Sequence, residues 1–468
     1  VRGTFLWLLF GWVLSAGAAP EFRSPAAPRA TGIPDPARMS YLDNGVIRVG
    51  IDLAMGGVIT YLSKSGDTRN VINSHDLGRE VQQSYYSGPR PFGSSHPAFP
   101  DWSWNPIGAG DIYGNRSQVV ASSNDGTTVY IRAIPMQWAL DGVPGECYFE
   151  TWIALDGSAA NVRYRLTNHR PDLTTYSFFY QELPAVYTTG KLYRLFTYDG
   201  PAPFTDAPIR EIPFFAFPPW HAFSPTENWM ALVDESGWGL GVHNRDVYTF
   251  VGGFSGTPNV GGPADDPTGY VAPAAEEILD HNITYDYEVS LVLGTLPEIR
   301  AFAVAHRRLE TRPDIHFALD RFQEDRQHVG YVNASDTGLP FRGGLHVRLD
   351  RRDPQIWLPL SRWDAASMPV LYVRAAFRMH DSEANVFWAI PGEGFSEERR
   401  LAFPVVPDGQ FRDYAFDLAP SSAYTGTITR LRLDPGNGGV PGDFVEIAAI
   451  SYRPPNGAAR VPRVVARH

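Results

Sequence analysis

Residues 46–53 alternate apolar and polar side chains, and the Gly56-Gly57 pair turns the chain into a second apolar run at 58–62. A two-residue period of this kind marks a strand with one buried face. The habit returns at 128–132, 148–153, 162–166, 229–233 and 285–292. Strand follows strand with no helical period between them, which excludes a doubly wound α/β fold and predicts packed antiparallel sheets. One helix is predicted after Thr295. Thr295 and Glu298 have capping-box spacing, Pro297 sits in the first turn, and Ile299, Phe302, Ala303 and His306 share a face. Arg307 and Arg308 then suit the negative end of the helix dipole.

After Pro313 the strand habit resumes at 371–377, 385–389, 401–405, 413–418, 428–433 and 445–450. Short strands at this density predict a β-sandwich or jelly roll. The expected organisation is therefore all-β: an antiparallel supersandwich over 39–312 and a second β-sandwich over 313–455. A Pro-, Ala- and Arg-rich linker (19–38) precedes them and a basic tail (456–468) follows. The first 18 residues read as an export signal. Arg2 is followed by an apolar stretch from Phe5 to Leu14 and small residues at Ala16 and Ala18, too short for a spanning helix. Val1 fits a GTG start. A secreted or periplasmic bacterial protein with no membrane span is the expectation.

Composition narrows the chemistry. The net charge is −11 and no basic run occurs, which disfavours nucleic acid as a partner. The single cysteine, Cys147, excludes an intramolecular disulfide and a thiolate metal cluster. No phosphate loop, dinucleotide fingerprint, Gly-x-Ser-x-Gly elbow or His-Glu-x-x-His motif is present.

Residues 39–312, with their opening strand, Gly56-Gly57 turn and second strand, resemble the galactose-mutarotase-like supersandwich of sugar epimerases, polysaccharide lyases and parts of glycoside hydrolases. The catalytic histidine motif of the epimerases is missing. Residues 340–453 resemble the jelly-roll carbohydrate-binding-type modules of bacterial extracellular proteins, on Phe387-Trp388-Ala389, Phe395-Ser396-Glu397-Glu398, the Asp408-Gly409-Gln410 turn and the 428–435 strand. The resemblances imply a poly- or oligosaccharide partner. Asp434 before Pro435 suits a structural calcium ion or a plain solvated turn; no other cofactor is expected.

Three stretches carry candidate chemistry. The first, 70–86, offers Asn73, Asp76, Arg79, Gln82, Tyr85 and Tyr86, whose donors, acceptors and rings match sugar hydroxyls and faces. Its plain alternative is a polar loop in which Asp76 pairs with Arg79. The second supplies Trp102, Trp104 and Asn105 as a stacking platform, or a hydrophobic corner, with Asp111 as a candidate carboxylate. The third holds Glu182, the only charge in an apolar run, where burial raises a carboxyl pKa and suits a general acid. His221 and His243 are candidate bases or donors, or structural histidines. These residues predict a glycoside hydrolase in which Glu182 donates the proton and Asp76 or Asp111 acts as base or nucleophile. A non-catalytic glycan-binding or cell-envelope protein, and a lyase using Tyr85 or Tyr86 with Arg79, remain as alternatives. The segments 76–86 and 102–111 are expected to line one concave face, with Glu182 projecting into it.

Overall fold

The computed structural model describes residues 36–94, 96–213, 219–280, 283–308, 310–317, 325–338, 341, 343–349, 351–455 and 463–464. The expected export signal, nearly all of the linker and most of the basic tail lie outside these residues. The described chain is almost wholly antiparallel β-structure, as its two-residue period requires.

Two large sheets form the first sandwich. The first sheet runs, neighbour to neighbour, through Met39–Asp43, Ile47–Asp52, Val58–Lys64, Val81–Ser84, Phe179–Thr189, Thr268–Glu277, Thr249–Ser255 and Trp220–Phe223. The second runs from Arg210–Ile212 through Arg194–Thr197, Trp229–Val233, Trp238–His243, Thr284–Thr295, Ala159–Asn168, Cys147–Asp156 and Thr128–Ile134 to Gln118–Asn124. Their facing sides share one core. Val49, Ile59, Val81, Val186 and Val271 come from the first sheet and Ile153, Val162, Leu240, Tyr285 and Leu291 from the second. Non-local pairs such as Val81–Ser84 with Phe179–Thr189 cannot be read from local periodicity, because a strand's partner is chosen by packing.

The helix Leu296–Ala305 forms where its cap predicts, and the Thr295 N–H donates to Glu298 Oε2 at 2.7 Å. It covers the far side of the second sheet, where Ile299 and Ala303 pack with Val292, Trp229 and Ala231. A side chain at Gly241 would meet Ile299, so the helix sits directly on that glycine. Among the described residues no helix is long and apolar enough to cross a membrane.

The second sandwich has its own core, centred on Trp363, Trp388, Phe403 and Phe416. One sheet contains Leu345–Arg348, Phe444–Ser451, Val370–Arg378 and Arg412–Asp417. The other contains Gly330–Val332, Gln355–Trp357, Arg430–Asp434, Glu383–Ala389 and Arg400–Pro404. The predicted 428–433 strand is split: Thr427–Ile428 pairs with Trp363–Asp364, while Arg430–Asp434 enters the main sheet.

Charge joins the two sandwiches. Arg326 is fully buried between Asp280 of the first and Asp336 of the second, meeting both oxygens of Asp280 at 2.6 and 2.8 Å and both of Asp336 at 2.9 Å. Nearby, Arg430 meets Glu276 at 2.5 Å and His328 meets Glu277 at 2.7 Å. Removing one member of a buried charge group strands the others in low dielectric. Arg326→Met is therefore expected to cost about 3–5 kcal/mol in urea unfolding. Adding Asp280→Asn and Asp336→Asn to it should restore most of the loss. A single variant as stable as the parent would show that the trio does not hold the junction.

Candidate functional site

The side of the first sheet that faces away from the core gathers the candidate chemistry. Strand alternation assigns each residue to a face. In Val81–Ser84 and the residues after it, Val81 and Tyr85 enter the core, so Ser84 and Tyr86 face outward. In Thr268–Glu277, Val271 enters the core, so Tyr270, Ala272, Ala274 and Glu276 face outward. In Phe179–Thr189 the alternation is broken by a register shift between Glu182 and Val186. The shift lets Glu182 and Tyr187 share the outer face although five positions separate them.

These registers put an aromatic row across the sheet. Tyr187 lies opposite Tyr270, Tyr270 opposite Gly253, and Gly253 opposite Trp220. The Tyr187 and Tyr270 rings are 4.7 Å apart, and Trp220 and Tyr270 are 5.0 Å apart. Gly253 is required here, because a Cβ at that position would lie 1.8 Å from the Pro219 carbonyl oxygen.

Glu182 stands beside this row. The Tyr86 hydroxyl donates to its Oε2 at 3.2 Å, and the Tyr270 hydroxyl donates to its Oε1. Burial raises the Glu182 pKa, outweighing the hydroxyl bonds from Tyr270, Ser84 and Tyr86 that pull it down. Burial, joined by the charge of Glu182, also raises the pKa values of Tyr86, Tyr187 and Tyr270. Glu182, Tyr187, Trp220 and Tyr86 are all half-buried, so the group is reachable from solvent. Trp102 extends the aromatic surface, with its ring 6.3 Å from Tyr86 and its Nε1 bonded to Asn105 at 3.0 Å.

The 70–86 stretch forms the rim beyond Tyr187. Asp76 and Arg79 pair at 3.1 Å, as the plain alternative had it, and Arg79 also bonds Asp266 at 3.0 Å. Their charges still reach the Tyr187 hydroxyl. Asn73 is buried and donates to the Asp265 carbonyl at 2.9 Å, so it fastens the loop. Gln82 is buried too, taking the Ala109 N–H and donating to Leu77 and Glu80.

Several predicted site residues are placed elsewhere. Tyr85 is fully buried and bonds Gln83 at 2.8 Å, one position and one face away from Tyr86. Trp104 is fully buried, bonded to Glu146 at 3.2 Å, so it is a core residue and not half of a platform. Asn105 is buried against the Tyr85 carbonyl. Asp111 accepts from Tyr113 N, Asn115 N, Asn115 Nδ2 and Gly142 N at 2.7 to 3.0 Å, which makes it the organiser of its loop. His221 neighbours Trp220 but lies on the opposite face of its strand. His243 is buried on the other sheet beneath Phe302, where burial pushes its pKa down to about 4. Asp434 meets Arg432 at 2.5 Å, and among the described residues no three His, Cys, Asp or Glu side chains gather to hold a metal.

Two features escaped the sequence reading. Tyr270 and Trp220 were not picked out. Their signal is the outward set Tyr270, Ala272, Ala274, one large ring above two small residues that leave it room. Glu80 is fully buried at φ +62°, its Oε1 has no partner among the described residues, and burial holds its carboxyl well above the usual range. Positive φ at a glutamate is a property of the folded loop that no local pattern announces.

No protein-family model matches the chain, and no curated protein matches it. Among solved structures it is similar to a galactose mutarotase related enzyme from Lactobacillus acidophilus, at 10% identity over 55% of this chain and 97% of that one, TM-score 0.34. A galactose mutarotase-like protein from Lactobacillus casei gives 12% identity over 55% and 99%, TM-score 0.35. The α-galactosidase from Lactobacillus brevis gives 9% identity over 56% of this chain and 40% of that one, TM-score 0.33. Identities and scores this low leave the reading of the site to its own geometry.

The raised Glu182 pKa has a definite sign. A folded-state carboxyl pKa above the unfolded value stabilises the fold below about 4.5, and the benefit is lost as pH rises through the folded pKa. Glu182→Gln cannot titrate. The stability difference between wild type and Glu182→Gln, followed by thermal melts, is expected to move in favour of wild type as pH falls from neutrality to about 4.5. A flat difference would mean that Glu182 is not perturbed.

Proposed function

We propose that this chain binds carbohydrate on the outer face of its first sheet and that Glu182 exchanges a proton with the bound sugar. The observation that carries the reading is a carboxyl with a raised pKa, held by two tyrosine hydroxyls beside an aromatic row whose ends, Tyr187 and Trp220, are half-buried and whose middle, Tyr270, is buried. Aromatic faces pack on the apolar faces of sugar rings, while the surrounding hydroxyls and carboxyl address ring hydroxyls. A carboxyl whose pKa burial raises holds its proton more firmly than a free one and can deliver it to a glycosidic oxygen. In this reading the protein works outside the cytoplasm, as its N-terminal export pattern suggests.

Hydrolysis by a carboxylate pair needs a second carboxyl about 5–9.5 Å from the first. Asp111 is committed to its loop, and Glu150, on the other sheet, accepts from the Tyr130 hydroxyl at 2.6 Å. Glu276, on the same face, is paired with Arg430, so of the carboxyls singled out in the sequence Asp76 is the base or nucleophile of the hydrolase form. The non-catalytic form is favoured by a separate observation: both Glu182 oxygens already accept from tyrosines, and Asp76 is paired with Arg79. A lyase is disfavoured because a tyrosine base needs a lowered pKa, and the three tyrosines here have raised ones.

The test is a panel of plant, algal and bacterial polysaccharides, scored for binding and for released ends, with wild type, Glu182→Gln and Trp220→Ala. Glu182→Gln is expected to lower turnover by about 10²–10⁴-fold with binding largely kept. Trp220→Ala is expected to weaken binding by about 0.5–1.5 kcal/mol beyond the lost contact area. Binding without released ends would select the non-catalytic form. Neither binding nor cleavage of any glycan by wild type would end the proposal.

A further inference from the structure

The outer face of the first sheet does not stop at Glu182. Two residues along the same strand, about 6.6 Å away, Tyr180 lies on that face opposite Glu276. Glu276 meets Arg430 of the second sandwich at 2.5 Å. Phe178 stacks on Trp357 of the second sandwich, with rings 6.4 Å apart and 27° from parallel, and it rests on Gly330, where a Cβ would crowd it at 3.0 Å. Trp357 and Arg430 are themselves outer-face residues, because their neighbours Ile356, Leu431 and Leu433 fill the second core. The two outer faces therefore meet edge to edge.

Beyond the meeting point the second face is built like a site. Arg430, Arg432 and Asp434 follow one another on the outer side of one strand, spanning about 13 Å. The Arg432 guanidinium lies 3.8 Å from the Phe387 ring and 5.4 Å from that of Phe395. Asp434 has only 6% of its side chain exposed, and among the described residues its Oδ1 has no hydrogen-bond partner. Arg432 Nε and, in the adjoining segment, Ser396 Oγ and Arg399 Nε are also buried without partners among the described residues. Leaving such groups unmatched is costly, so a cluster of them marks a place where a ligand's groups belong. An anion would meet the Asp434 carboxyl and a cation would meet Arg432. A neutral polyol, whose hydroxyls both donate and accept, suits both. Burial outweighs the Arg432 bond and lifts the Asp434 pKa to about 6, which adds a proton donor to the set in mildly acidic solution.

We infer that the ligand of the Glu182 site is an uncharged sugar chain, not a single sugar, and that Asp434 and Arg432 of the second sandwich hold its far end. This rests on the carbohydrate reading above, and the experiment separates the two. Oligosaccharides graded by length, from single sugars upward, are prepared by partial hydrolysis of cellulose, xylan and laminarin, with alginate as the anionic control. Binding is measured by calorimetry for the full chain and for Asp434→Asn, Arg432→Ala and Glu182→Gln, with thermal melts to confirm folding. Wild-type affinity is expected to rise with chain length and to favour the neutral series. Asp434→Asn, which keeps the shape of the side chain, and Arg432→Ala are expected to weaken long oligomers by about tenfold and leave short ones unchanged. Short oligomers that bind wild type, combined with an unaltered length dependence in both second-sandwich variants, would overturn this inference and leave the Glu182 site standing. A length dependence that favours alginate would overturn the choice of an uncharged chain. Failure of wild type to bind any length would overturn the carbohydrate reading and this inference together.

Discussion

The long strands of the first sandwich give one of their sides to a core shared between the two sheets, and this commitment decides what the other side can be. With Val81, Val186 and Val271 fixed inward, the residues between them have no choice of face. Within that constraint the register shift between Glu182 and Val186 matters most. Without it, strict alternation from Glu182 would turn Tyr187 toward the core and separate the acid from the aromatic row. An irregularity of one residue in one strand thus assembles the site, as strand irregularities near functional groups commonly do.

The junction between the sandwiches is held differently. Hydrophobic packing tolerates sliding, but an arginine fork engaged by two carboxylates does not. Arg326 fixes the relative position of Asp280 and Asp336, and Arg430 with Glu276 repeats the device at the edge where the outer faces meet. Polar groups buried in this manner contribute more to geometry than to net stability.

How far the chain could be read without its structure follows from the range of each signal. Alternation and turn residues are local, so the all-β class, most strands and the capped helix were legible. The burial of Glu182 and the rise of its pKa were legible for the same reason: a lone charge in an apolar run is a local anomaly. The pairing of Asp76 with Arg79, three positions apart, was legible as an alternative. Tyr85 and Tyr86 show where local reading ends. Both are aromatic and adjacent, yet parity sends one to the core and the other to Glu182. Trp102 and Trp104 have the same parity, and still one is half-exposed and the other is sealed by Glu146 and Arg170. Tyr270 and Trp220 reach Glu182 only because strands distant in sequence become neighbours. That order is set by collective packing and is written in no short window.

The fastening of Arg326 bears on how the two outer faces would operate in time. Faces fixed to each other by a buried charge trio do not swing shut around a visitor, so their arrangement exists before encounter. Recognition by such a surface costs little protein reorganisation, and arrival is governed by diffusion and orientation, not by a closing step. Departure then depends on how many contacts break at once. On the proposed reading, a polymer lying across two fixed faces would release one end while the other stays seated, and so slide past Glu182 without ever leaving the protein.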